Sequence, residues 1–136
     1  MTADLPEATD ESIMQWVFGD EVSSKRMHDA MVSSASDTYI SVLMGPVNGP
    51  LWERRVLPVK TTVLMNLAIL AVLNRPHELY TRVVGLLRGG ITAQEIKEVF
   101  LHIGFYAGNP AGVEATVTLH EAMTYLNERG IPFKES

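Results

Sequence analysis

"LNRPHELYTRVVGLLRGGITAQEIKEVFLHIGFYAGNP", residues 73–110, carries two helical patterns separated by a glycine turn. In the first, Pro76 disfavours helical backbone at Arg75 and so marks a boundary. Leu79, Val83 and Leu86 then recur at helical spacing over 77–88, until Gly89 and Gly90 end the run. In the second, "TAQE" (92–95) has the spacing of a capping box: the Thr92 hydroxyl accepts from the backbone of Glu95, whose carboxylate reaches back. Ile96, Phe100 and Ile103 continue an apolar stripe to about Ala107, where "GNP" breaks the helix.

The rest of the chain reads the same way. "TTVLMNLAILAVL" (61–73) is apolar on almost every side, although it carries Asn66. It falls short of the roughly 18 apolar residues that span a membrane, so it predicts a helix over 59–73 that is buried on most sides. Covering so apolar a rod in a chain of this size calls for contacts between subunits. A last helix over 111–129 ends at Gly130. Towards the N-terminus, "SIMQWVFG" (12–19) predicts a short helix, Asp20 an N-cap for a helix over 22–35, and Asp37 the start of another ending at Gly45. Residues 46–58, with three prolines and Gly49, form a loop. Residues 1–11 read as a loose tail, and 12–136 as a single all-α domain of about six helices.

Composition removes several classes of function. The net charge is −5 and the eleven Lys and Arg are dispersed, with "KR" at 25–26 and "RR" at 54–55 the densest spots. No basic patch exists to neutralise phosphates, so neither nucleic acid nor an anionic membrane is an expected partner. With no cysteine, disulfides, thiolate catalysis and cysteine-based zinc sites are excluded. The acidic, polar N-terminus is the reverse of a targeting peptide and predicts a cytoplasmic protein.

The polar residues of 73–110 admit two readings. Glu78 and Arg82 are four apart and share a flank of their helix. Glu95, His102 and Tyr106 fall together beside the apolar stripe of the next. If the short turn makes the two helices an antiparallel hairpin, these flanks face one cleft. Arg82 would bind an anionic small molecule there, and His102 or Tyr106 would move protons. Equally, Glu78–Arg82 is a common solvated pair worth about a few tenths of a kcal/mol, with His102 and Tyr106 at an interface. Asn66 needs a hydrogen-bond partner inside its apolar helix or across an interface. Trp52 is a pocket wall or a core anchor. His77 starts a helix at the surface, and His28 and His120 have no ligand partner nearby. No two histidines lie three or four apart, which argues against a metal site built from one helix.

Five segments, in order, resemble the carboxymuconolactone decarboxylase family within the alkyl-hydroperoxidase-D-like group of small all-α proteins. They are "VFGDEV" (17–22), "LWERRVL" (51–57), "VLNRPHEL" (72–79), "GGITAQEIKEVF" (89–100) and "HIGFYAGNPAGVEA" (102–115). The resemblance covers roughly residues 17–130. It implies a helical protomer that assembles into rings, here a homotrimer or homohexamer, and removal of carbon dioxide from a small lactone acid. Members with a CxxC pair reduce peroxides, an activity the absent cysteines exclude.

There are departures from the family pattern. "TTVL" (61–64) stands where decarboxylase members read "TRSL", so Thr62 and Val63 replace an arginine and a serine. Arg82 stands where those members have a histidine, and Ala107 where they have a cysteine. Glu78 and Tyr106 are retained, and His102 falls where members vary between glutamine and histidine. Spacing and resemblance together leave Glu78, Arg82, His102 and Tyr106 as the candidate catalytic residues and Trp52, Thr62 and Asn66 as candidate substrate-binding ones, with no cofactor and no metal expected. The expected function is cofactor-free decarboxylation of an oxygenated organic acid or lactone, or a related proton transfer such as isomerisation or cyclisation. The alternatives are a non-catalytic binding or accessory protein that kept the fold and a purely structural assembly subunit.

Overall fold

Helices account for the secondary structure of the described residues of the computed structural model, which are 4–18 and 50–136. They are α1 (Asp10–Phe18), α2 (Val59–Val72), α3 (Pro76–Arg88), α4 (Ala93–Tyr106) and α5 (Asn109–Glu128), with one helical turn at 50–53 and no strand. The all-α class predicted from the sequence is what the chain adopts. The helices expected over 22–35 and 37–45, together with His28, lie outside the described residues.

Local chemistry sets the boundaries. Asn74 takes a left-handed backbone (φ 54) to end α2, and Pro76 opens α3 from its first turn. Gly90 (φ +100) turns the chain into α4. There the capping box forms: the Glu95 N–H donates to Thr92 Oγ1 at 3.0 Å and the Thr92 N–H donates to Glu95 Oε2 at 2.9 Å. Two further N–H groups at this helix start, of Ala93 and Gln94, donate to the carbonyls of Lys134 and Glu135 at 2.9 and 2.8 Å. The C-terminal segment thus satisfies donors that a helix N-terminus leaves without partners.

The main partner of α4 is α5, not α3. At their crossing, a Cβ on Gly112 would sit 2.9 Å from the Gly104 Cα, so glycine alone permits this approach. α3 packs on α5, α2 and α1. The hairpin of 77–88 with 93–107 expected from the sequence is therefore not the packing unit. α4 turns its buried side chains, Ile96, Phe100 and Ile103, to α5 and α2.

Glycines also seat the N-terminus. A Cβ on Gly85 would lie 2.7 Å from the Trp16 carbonyl oxygen, and one on Gly89 would lie 3.1 Å from the Ile13 Cα. Ser12 Oγ reaches the Gly89 carbonyl at 2.8 Å. Ile13 beside Gly89 and Trp16 beside Gly85 make α1 antiparallel to α3. The segment read as a loose tail is in contact from its seventh residue: Glu7 and Ala8 lie against Gly90, and Lys134 is 3.4 Å from Glu7.

Candidate active site

Gly85 and Gly89 form the stripe of α3 on which α1 rests. Arg82 lies on the same stripe one turn nearer the start of α3, beyond the point where α1 ends at Phe18. Its guanidinium carbon is 5.7 Å from the centre of the Trp52 ring. Trp52, only 8% exposed, belongs to the core. A cation held over an aromatic face gains roughly 0.5–2 kcal/mol, the more so the drier the site. Burial pushes the Arg82 pKa down, and Glu78 one turn back raises it. Arginine remains charged under such opposing pressures. The result is a permanent cation, mostly out of water, against a rigid aromatic wall.

A second guanidinium adjoins the same tryptophan. Arg55 Nη1 donates to the Trp52 main-chain carbonyl. In the sequence Arg55 stands out only as half of "RR". The clue was its position three residues after Trp52, from which a side chain can reach back to the carbonyl of a helical turn.

On α2, Thr62 and Asn66 lie one turn apart, between the buried face and a stripe of Met65, Ile69, Val72 and Leu73 that is about half exposed. The Thr62 hydroxyl donates to the Pro58 carbonyl at 3.2 Å, which commits it to its own helix start. Asn66 Oδ1 is buried and has no hydrogen-bond partner among the described residues.

His102 and Tyr106 stand elsewhere. Their flank of α4 begins at Glu95, which pairs with Lys60 of α2 at 2.5 Å. His102 Nε2 lies 3.4 Å from Glu98 Oε1, with both side chains 66% exposed. Tyr106 is 83% exposed and meets Phe105 edge-on. The structure thus brings Trp52, Glu78 and Arg82 together and leaves His102 and Tyr106 on an open surface. Among the described residues the four polar side chains do not enclose a common cleft. His77 and His120 are exposed, and among the described residues no three His, Asp or Glu side chains cluster as a metal site would require. No described helix is long and apolar enough to cross a membrane.

Comparison with known proteins agrees with this fold. The family model described as "Carboxymuconolactone decarboxylase family" matches residues 44–121. The chain is 35% identical over 83 residues to 4-carboxymuconolactone decarboxylase of Acinetobacter baylyi, covering 61% of this chain and 60% of that one. It is 28% identical over 82 residues to nitrosuccinic acid decarboxylase of Metarhizium robertsii, covering 60% and 57%. The matched segment therefore spans less than two thirds of either relative.

Proposed function

Because the chain belongs to the carboxymuconolactone decarboxylase family, we propose that it decarboxylates a small oxygenated organic acid or lactone without a cofactor, and that Arg82 holds the negative charge the reaction creates. The bond to the carboxyl carbon breaks, carbon dioxide leaves, and the electron pair moves into an electron-withdrawing group of the substrate itself. The resulting enolate-like anion then takes a proton at carbon. A fixed cation near the developing oxyanion, in a site that excludes water, lowers this barrier, and loss of one such group costs about 10²–10³ in rate. The observation that carries the reading is the Arg82 guanidinium, buried and seated on Trp52. Glu78, one turn back, adds a negative charge that favours its charged form.

The proton comes from His102 or Tyr106, which reach the substrate only if a neighbouring copy brings them. This fits a homotrimer or homohexamer. The side chains such an assembly would cover are apolar and exposed: Met65, Ile69 and Val72 on α2, and Leu101 (66%) and Phe105 (83%) on α4. The test is carbon dioxide release from 4-carboxymuconolactone and from nitrosuccinic acid, the acids named for the two relatives, by wild type and Arg82→Ala. Release that is unchanged by the substitution sinks the proposal. A binding or accessory protein is the second reading, favoured by the exposure of His102 and Tyr106; it predicts tight binding of such acids with no release.

A further inference from the structure

The geometry points to Arg55 as a second anion-binding residue, one that selects substrates carrying a negatively charged group besides the reacting one. This rests on the reading of Arg82 as the cation of the active site. Trp52 is the common anchor. Its ring carries the Arg82 guanidinium at 5.7 Å, and its carbonyl oxygen accepts a hydrogen bond from Arg55 Nη1. The two cations thus meet one residue from two sides of its chemistry, Arg82 at the ring and Arg55 at the main-chain carbonyl, and that residue is itself buried.

A guanidinium has five donors in a planar fork, and the bond to Trp52 uses one nitrogen. The remaining edge is available to a carboxylate, and planar two-point pairing is what arginine does better than lysine. The surroundings add to its effect. Its chain neighbours Leu51, Val56 and Leu57 are 58%, 79% and 43% exposed, apolar surface that a ligand bound beside Arg55 would help to dry. Arg55 is more exposed than Arg82, so it suits a group that stays fixed through the reaction, while Arg82 faces the charge that develops. Arg55 is then a specificity residue: it acts on substrate affinity and leaves the chemical step alone.

Succinate and succinamate test this, because they differ in one carboxylate replaced by a neutral amide. Calorimetric titration at low, fixed ionic strength gives the two Kd values for wild type, Arg55→Ala, Arg55→Lys and Arg82→Ala. Wild type is expected to prefer succinate by about tenfold, the scale of one charge-assisted pair. Arg55→Ala should bring that preference close to one by weakening succinate while succinamate is little changed, and Arg55→Lys should fall between. A wild type without preference, a preference that survives Arg55→Ala, or equal weakening of both probes would overturn the inference. Arg82→Ala separates the two claims. If it binds both probes as wild type does, the reading of Arg82 fails. If it loses both while Arg55→Ala behaves as wild type, only the role of Arg55 fails.

Discussion

The guanidinium of Arg82, on α3, rests on the ring of Trp52, in the turn that precedes α2. Each residue fixes the other. The tryptophan supplies a rigid face for a cation that burial would otherwise disfavour, and the cation ties the turn at 50–53 to the helical core. Trp52→Phe keeps a ring and should keep most activity. Trp52→Leu removes the face, and the loss of about 1.4 kcal/mol would lower turnover roughly tenfold. Steady-state kinetics on the two variants, with circular dichroism to verify folding, checks this.

Gly85 admits α1 onto α3, and the carbonyl of Trp16 is backbone that cannot swing aside. Gly85→Ala places a methyl group 2.7 Å from that oxygen, so α1 has to move. The expected destabilisation is about 1–3 kcal/mol, read from the midpoint of urea unfolding. Gly130, where a Cβ would meet no described atom within 4 Å but φ is +65, separates the two causes: alanine there brings backbone strain without a clash.

Glu95 carries a pH dependence with a definite sign. Burial raises its pKa, but the Lys60 ion pair and the bonds to Thr92 outweigh that, and the net shift is downward. A carboxylate whose folded pKa is depressed stabilises the fold above its unfolded value, and loses that contribution as pH falls through the folded one. Glu95→Gln should therefore cost about 1 kcal/mol at pH 7, a typical loss for a helix cap, less in high salt because the pair is partly exposed. The gap between variant and wild type should close below about pH 4. A gap that widens in acid would contradict the assignment.

Assembly is the fourth expectation. Phe105 and Ile69 are 83% and 48% exposed in one chain, which suits contacts with other copies. Sedimentation should find a trimer or hexamer, and Phe105→Asp or Ile69→Asp should shift it towards monomer. A stable wild-type monomer at micromolar concentration would count against the composite site.

What the sequence disclosed was local. Pro76, the paired glycines and the capping box at Thr92 and Glu95 located α3 and α4 because each acts within one helical turn. The buried face of α2 was visible in its unbroken apolar run. Which helix lies beside which was not visible. The choice of α5 over α3 as the partner of α4 depends on Gly104 meeting Gly112, and on residues 134–135 taking the first donors of α4. Both contacts join parts of the chain that no periodic pattern links. That is why Arg82 and His102, whose helices are joined by a short turn, stand in different surroundings. Arg55 was missed for a different reason: its contact is local, three residues back, but the sequence marks only that the reach is possible and not that the side chain takes it.

The proposed decarboxylation hangs on one positive charge, that of Arg82. Carbon dioxide released from 4-carboxymuconolactone and nitrosuccinic acid by wild type, Arg82→Met and Arg82→Ala, with melting curves for each, measures it directly. The methionine variant keeps most of the side-chain volume and removes only the cation. Turnover by wild type, and at least a hundredfold loss in both variants with the fold retained, is the expected result. Full turnover by a folded Arg82→Met protein would contradict it.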